Sequence, residues 1–199
     1  MIKKSKQPLA NKLLFQGKVA PLALSSLLAF GGGGASVYYA LEDYYPVIQA
    51  QKNITFQACF TPRNQCQPLL ISAIDKAQHS IYVQNYSFTA KSLAMALVMA
   101  HARGVKVNVI SDKGQRQVRS VISYLKEAGI PVFLDEKVAI AHNKVLIIDE
   151  QYVITGSYNF STIAETRNAE NLLIIGSPDL AYQYLENWQE RLKESVPLS

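Results

Sequence analysis

Hydrophobic residues in the first half of the chain change their spacing from segment to segment. After Pro68, apolar residues recur every three or four positions, which predicts a helix. Runs of β-branched and aromatic residues predict strands. The predicted strands are residues 80–88, 105–110 and 131–134, and the further predicted helices are residues 93–102 and 115–128. This alternation predicts an α/β fold in which helices flank a mixed, largely parallel sheet.

The second half favours antiparallel pairing followed by one long helix. Two apolar strands at 144–148 and 152–155 are separated by Asp149-Glu150-Gln151, which is typical of a hairpin. Residues 171–175 predict another strand, and Ser177 is placed to cap a final helix. The apolar stripe of that helix is expected to pack into the core rather than bind a ligand; it consists of Leu180, Tyr184, Leu185, Trp188 and Leu192.

Charge along the chain is informative because of where it lies. The 199 residues include 20 Lys and Arg against 15 Asp and Glu, a formal charge of +5, and 49% are apolar. This length and hydrophobicity suit one folded domain and exclude a mostly disordered chain. Five lysines precede an uncharged run at residues 19–41, and the rest of the chain is nearly neutral. The excess of basic residues therefore indicates the compartment of the protein more than the chemistry of its partner.

The N-terminal segment has the layout of an export signal. Basic residues precede an apolar stretch at 20–30 and a small-residue patch at 31–36. An uncleaved anchor that associates with the membrane through residues 19–41 is the main alternative, and a buried helix is another. We therefore expect a signal peptide or anchor at 1–41, a domain at 42–199, and a secreted or periplasmic location. Cys59 and Cys66 are then candidates for a disulfide, with two buried free thiols as the alternative.

Polar residues gather where the hairpin is predicted. His142 and Lys144 are two positions apart, so both side chains leave the same face of a strand. A hairpin centred near Glu150 pairs positions summing to about 300, which places Tyr158 opposite His142 and Asn159 beside it. Imidazole, ammonium and carboxamide groups are thus expected to converge.

This set suits phosphoryl transfer without a metal ion. A neutral imidazole is a nucleophile or proton carrier, while Lys144 and Asn159 can donate to a phosphoryl group as its charge builds. Gly156 permits close backbone approach, and Ser157 adds a hydroxyl to the phosphate-binding candidates. No His, Cys or carboxylate cluster has metal-ligand spacing, so no metal and no cofactor is expected.

The spacing His142-x-Lys144, then Asp149, then Gly156-Ser157-x-Asn159 resembles the HxKxxxxD signature of the phospholipase D superfamily with its GSxN extension. The likeness extends over most of residues 55–192, and includes YSFT at 86–89 and AETRNAEN at 164–171. It points to the short, single-motif bacterial members, which are periplasmic endonucleases and small secreted phospholipases D.

The resemblance implies a two-step reaction through a phosphohistidine. The family uses two such motifs per active site, and this chain contains one, because His79 and His101 have no lysine two residues later. It therefore implies a homodimer in which two copies of His142 face one phosphodiester. Lys144 and Asn159 of both copies would then clamp the phosphate oxygens.

Three further residues belong to the resemblance. Glu170 falls where the family carries the carboxylate that bonds the ring of the catalytic histidine. Asp149 belongs to the signature and is a catalytic candidate, although its place at the turn favours a structural role. Ser157 is expected to support the site rather than act as a nucleophile. A basic rim is weighed equally against scattered surface charge; its members are Arg63, Lys113, Arg116, Arg119 and Arg167.

These features predict a non-specific, metal-independent endonuclease. The alternative is a phospholipase D that releases the head group of phosphatidylcholine or cardiolipin, because both substrates present the same phosphodiester. A third hypothesis is a catalytically silent dimeric binding module. It is disfavoured by the complete set of His142, Lys144, Asn159 and Glu170.

Overall fold

A computed structural model describes residues 54–116 and 121–199, and within them eight strands and five α-helices form. The strands are β1 (Thr55–Thr61), β2 (Ser80–Asn85), β3 (Lys106–Asp112), β4 (Val132–Asp135), β5 (Lys144–Ile148), β6 (Tyr152–Gly156), β7 (Glu170–Gly176) and β8 (Ser195–Pro197). The helices are α1 (Cys66–Lys76), α2 (Lys91–Ala102), α3 (Ile122–Glu127), α4 (Thr162–Thr166) and α5 (Pro178–Lys193), and a 3₁₀ turn covers Lys113–Arg116.

The described strands form one sheet in the order β1-β7-β6-β5-β2-β3-β4-β8. Its class, α/β with a mixed sheet flanked by helices, is confirmed. Strands β2, β3 and β4 are parallel neighbours, as predicted for the first half. All other adjacent pairs are antiparallel, so the sheet as a whole is less parallel than predicted. The reason is that β5, β6 and β7 follow one another as antiparallel neighbours.

Side chains that alternate along β5 separate two hydrophobic cores. Leu146 and Ile148 join the larger core, to which α1, α2 and α3 contribute, while Val145 and Ile147 join the core beneath α5. The predicted stripe of α5 is confirmed as core, since Leu185 and Trp188 are buried and the other members pack against them. The Trp188 indole donates to the carbonyl of Val83 at 3.0 Å. Both faces of the central strands are therefore covered.

The predicted hairpin register is confirmed only as far as the end of β6. Val145 pairs with Thr155, so paired positions sum to 300. The ladder ends at Gly156, and the N–H groups of Ser157 and Tyr158 both donate to the carbonyl of Asn171. Gly156 has a φ of +149°, and a Cβ there would collide with that carbonyl oxygen. Tyr158 is therefore not opposite His142, because the chain turns towards β7 and buries the Tyr158 ring.

Other elements differ from the predictions at their ends. The helix predicted at 115–128 is a 3₁₀ turn followed by the short α3, with residues 117–120 outside the described range. The strand predicted at 80–88 ends at Asn85, and residues beyond it form a loop with one bridge from Phe88 to Phe160. Strands β1 and β8 were not predicted, because neither has a clear alternation of apolar and polar residues.

The first strand is joined covalently to the first helix. The sulfur atoms of Cys59 and Cys66, the candidate disulfide pair, lie 2.03 Å apart, and both residues are buried. The predicted signal or anchor at 1–41, and the start of the predicted domain 42–199, lie outside the described residues. Among the residues described, no helix is both long enough and apolar enough to cross a membrane.

Asp149 holds the turn between β5 and β6 against the start of β2. Its carboxylate accepts from the backbone N–H groups of Gln78, His79 and Ser80 at 2.7 to 3.2 Å. Its own backbone has a φ of +53°. Burial acts to raise the pKa of this carboxyl, but the three N–H donors together hold the pKa below its ordinary value. Asp149 is thus a structural anchor, and its inclusion among the catalytic residues is corrected.

We expect Asp149→Asn to lower the free energy of unfolding by about 1–3 kcal/mol at pH 7, because a charged acceptor is lost. The native pKa is depressed, so this stabilisation is present above the pKa of the unfolded chain and disappears as pH falls through the native pKa. The difference between the proteins should therefore shrink below about pH 4. Urea unfolding from pH 3 to 8 measures it, and Glu150→Gln in the same turn is the control. An unchanged stability at pH 7 would contradict the anchoring role.

Candidate active site

The candidate site lies at the edge of the sheet where β2, β3 and β4 end and where β5 and β7 begin. His142 lies just before β5, and Lys144 is the first residue of that strand. Asn85, the last residue of β2, pairs with Lys144, and the next residue, Tyr86, donates its N–H to the carbonyl of Asn143. The β2–β5 ladder therefore fixes the backbone on which both predicted groups are carried.

Lys144 is a nearly buried cation, with 8% of its surface exposed. Its Nζ donates to the carbonyl of His142 at 2.8 Å and lies 5.1 Å from the centre of the Tyr86 ring. Burial lowers the pKa of this ammonium below the ordinary lysine value, and the charge of Glu170 opposes that shift. A cation in this position is ready to meet an anion that enters the edge.

The His142 side chain is exposed and packs against an aromatic ring. The centres of the Tyr86 and His142 rings are 4.4 Å apart, with the planes inclined by 54°. Within the described part of the chain, no residue makes a hydrogen bond to the His142 ring. Its nitrogens are therefore open to a substrate, which a nucleophile or proton carrier requires.

Asn159 carries an amide oxygen that is buried and has no hydrogen-bond partner among the described residues. The following residue, Phe160, accepts through its carbonyl from the N–H groups of Thr89 and Ala90. This contact fixes Asn159 beside the loop that begins at Tyr86. Because buried polar atoms are rarely left unpaired, this oxygen has the capacity to accept a further hydrogen bond, whereas donation to a phosphate oxygen would come from the NH2 group of the same amide.

Glu170 is held by two neighbouring side chains. Its carboxylate accepts from the Ser157 hydroxyl at 2.5 Å and from the Asn168 amide at 2.8 Å. Among the described residues of one copy, no hydrogen bond joins Glu170 to the His142 ring, so the expected carboxylate–histidine contact is not formed here. The two donors occupy the carboxylate, and its electrostatic effect falls on Lys144. Ser157, a predicted phosphate ligand, here supports Glu170.

The site contains one contact residue that sequence reasoning did not single out. Tyr86 was predicted as an aromatic residue of a strand and as part of YSFT at 86–89 in the resemblance, with no role assigned, yet it touches both His142 and Lys144. The available signal was its place directly after a strand that pairs with the motif strand. Across the residues described, no group of three or more His, Cys, Asp or Glu side chains is arranged to hold a metal ion.

We expect Lys144→Gln to lower kcat by about 100- to 1000-fold, as loss of one preorganised donor to a developing charge does. The fold should persist, because Gln can still donate to the His142 carbonyl. Phosphodiester cleavage under saturating substrate measures the loss, with circular dichroism as the check of folding. Lys126→Gln, an exposed lysine on α3, is the matched control. A kcat within a fewfold of wild type would remove Lys144 from the chemistry.

Comparison with known proteins shows which family the chain belongs to. Residues 70–192 match the family model described as cardiolipin synthase, PLD-like domain. The chain is 45% identical over 179 residues to phospholipase D of Rickettsia felis, covering 80% of this chain and 90% of that protein. It is 33% identical over 129 residues to mitochondrial cardiolipin hydrolase of Mus musculus, covering 64% of this chain and 58% of that one.

Solved structures lead to the same family. The crystal structure of Nuc from Salmonella typhimurium, a phospholipase D family member, superposes with a TM-score of 0.70 at 39% identity. The match covers 73% of this chain and 99% of the Nuc chain. The conserved architecture and the match over most of the described residues make this chain a phosphodiester hydrolase of the phospholipase D superfamily.

Proposed function

We propose that this hydrolase is an exported, non-specific endonuclease that needs no metal ion and works through a phosphohistidine in a site shared by two copies of the chain. The observation that carries the proposal is the open imidazole of His142 beside the buried ammonium of Lys144, at an edge whose loops are basic. Nucleic acid is the substrate class, and a second copy of the chain is the partner.

The chemistry follows from the groups at the edge. A ring nitrogen of His142 attacks phosphorus and forms a P–N bond, while the P–O bond to the leaving alkoxide breaks. His142 of the second copy gives that alkoxide a proton. Water then attacks phosphorus, returns a proton to the second imidazole and breaks the P–N bond. Lys144 and Asn159 donate to the phosphoryl oxygens throughout.

Within the described residues, nothing covers one face of the outer strands β1 and β7, and such a face supports association with a second copy. Helix α5 covers the central strands on its side of the sheet, while the same face of β1 and β7 carries exposed or half-buried apolar residues. Phe56 is 77% and Phe60 is 55% exposed. Phe60 pairs with Asn171 near the end of β1, so this face reaches the edge of the sheet at which the site lies. A site that needs two copies of His142 gives such a face its occupant.

Charge around the edge supports a polyanionic substrate. Loops after β1, β3, β4 and β6 all meet this edge, and they carry Arg63, Lys113, Arg116, Lys137 and Arg167. Glu136 neutralises Arg116 at 2.9 Å, and Lys113 bonds the Val138 carbonyl. Arg63, Lys137 and Arg167 are exposed cations on loops at the same edge as His142, a layout that attracts a phosphate backbone.

A phospholipase D acting on phosphatidylcholine or cardiolipin is the second candidate. Two apolar residues at the same edge favour it, because Ile140 is 56% and Ile163 is 57% exposed. Side chains of this kind suit contact with a lipid surface. The names of the Rickettsia phospholipase D and the mouse cardiolipin hydrolase also fit a lipid substrate.

The exported location rests on the sequence. The five lysines before the uncharged run at 19–41 direct the C-terminal part out of the cytoplasm, either secreted or periplasmic and anchored. The Cys59–Cys66 bridge supports this placement, because disulfides persist in oxidising compartments.

We expect the full-length protein in excess chelator to cleave plasmid DNA and single-stranded RNA faster than phosphatidylcholine–cardiolipin vesicles. The triple variant Arg63→Gln, Lys137→Gln, Arg167→Gln should lose about tenfold in rate on DNA and depend less on salt, because phosphate contacts are lost. Initial rates between 50 and 300 mM salt measure both effects.

Two matched variants complete this test. A control triple variant removes the same charge at the opposite edge and should leave the rate on DNA unchanged. It combines Lys76→Gln, Lys106→Gln and Lys126→Gln. Ile140→Ser, Ile163→Ser should also spare DNA cleavage. Head-group release with intact DNA, reduced by the isoleucine pair, would establish the lipid alternative. Loss of every activity in chelator would exclude the metal-free mechanism.

The shared site predicts how an inactive copy dilutes activity. His142→Asn should abolish turnover. Equal co-expression with wild type should leave about one quarter of the activity of the same total amount of wild-type protein, because only dimers with two intact copies react. Differently tagged copies and quantitative mass spectrometry give the true ratio. About one half remaining would mean that each copy works alone. Phe60→Asp should shift the protein to monomers in sedimentation and lower activity in parallel.

A further inference from the structure

One aromatic ring contacts both reactive groups of the site. Tyr86 follows the last residue of β2, and its N–H bonds the Asn143 carbonyl at 2.9 Å, between the two motif residues. Its ring centre lies 4.4 Å from that of His142 and 5.1 Å from the Nζ of Lys144. Both separations are short enough for favourable aromatic and cation–π contact.

The ring supplies what the lysine loses on burial. Lys144 is 8% exposed and has one hydrogen-bond acceptor among the described residues, the carbonyl of His142. An ammonium has three donors, so a buried one needs further stabilisation. The negative face of the Tyr86 ring provides it without competing for a phosphate oxygen. A carboxylate in direct contact would neutralise the cation that the phosphate must meet.

The same ring limits the motion of the imidazole. His142 is exposed and makes no side-chain hydrogen bond within the described residues, so ring packing is its main restraint. A nucleophile gains rate when its attacking atom is held near the productive position, and a misplacement of about 1 Å costs roughly 100-fold.

We propose that Tyr86 is a positioning residue, whose ring holds the His142 imidazole and the Lys144 ammonium in their mutual arrangement and keeps Lys144 charged. This inference rests on the proposed phosphohistidine chemistry, and it concerns the ring and not the hydroxyl. It predicts that Tyr86 acts on kcat more than on KM, because the charge that attracts the substrate persists at neutral pH.

The test compares Tyr86→Phe, Tyr86→Leu and Tyr86→Met on bis(p-nitrophenyl) phosphate, a probe that carries neither a base nor a lipid tail. Phe retains the ring and should keep kcat within about twofold. Leu and Met remove the ring and should lower kcat by about 10- to 100-fold with KM little changed. Tyr152→Leu, at the opposite edge, is the matched control and should behave as wild type.

The pH profile separates positioning from a structural role. The groups that face Lys144 are the Glu170 carboxylate from β7, the ring of Tyr86 with its phenol, and the backbone carbonyl of His142. Burial already lowers the pKa of Lys144, and loss of the ring lowers it further because the charged form loses a partner. The alkaline limb of the kcat profile should therefore move to lower pH in Tyr86→Leu and Tyr86→Met. In Tyr86→Phe it should lie at the wild-type position.

Each outcome has a separate meaning. Wild-type kcat in both ringless variants, or an equal loss in Phe and Leu, overturns the role of the ring. An alkaline limb that does not move overturns its effect on Lys144. Substantial turnover by His142→Asn would instead contradict the proposed chemistry, whatever the Tyr86 variants do. Tyr86→Met keeps the test decisive if Leu fails to fold, as circular dichroism would reveal.

Discussion

The candidate site depends on a cation that the fold removes from water. Burial of the Lys144 ammonium is unfavourable unless the surroundings replace its hydration. Three features do so: the carbonyl of His142, the ring of Tyr86 and the charge of Glu170. Each comes from a different segment, so the β2–β5 ladder and the approach of β7 must both form before the lysine is accommodated. The site is therefore a product of the whole sheet.

The polar residues at the two ends of β5 have different roles, and this explains their spacing. Lys144 opens the strand at the site edge, and Asp149 follows its last residue at the opposite edge. Five residues of strand separate these ends by about 17 Å. At one end the Lys144 ammonium is placed to bind an anion. At the other end the Asp149 carboxylate accepts hydrogen bonds from three backbone N–H groups. One short motif thus contains both a reactive group and the anchor that fixes the strand carrying it.

Much of this arrangement follows from sequence, and the exceptions have physical causes. The hairpin register, the cap at Ser177 and the buried stripe of α5 follow from local periodicity and turn residues. The placement of Tyr158 could not be predicted in this way, because it depends on the close approach of Asn171 to Gly156, which is a contact between distant segments. The role of Tyr86 was hidden for the same reason. A strand aromatic acquires its meaning only when the neighbouring strand is known.

Glu170 shows how a supporting residue can act at a distance from the nucleophile. Ser157 and Asn168 donate to its two oxygens and hold the carboxylate in place. A fixed negative charge then opposes the loss of the Lys144 proton without forming an ion pair that would exclude phosphate. Ser157 belongs to the GSxN segment, whose glycine lets β7 approach closely enough for this contact. The segment therefore serves the site in two ways: Asn159 offers an amide to the substrate, and Ser157 sets the carboxylate that keeps the lysine charged.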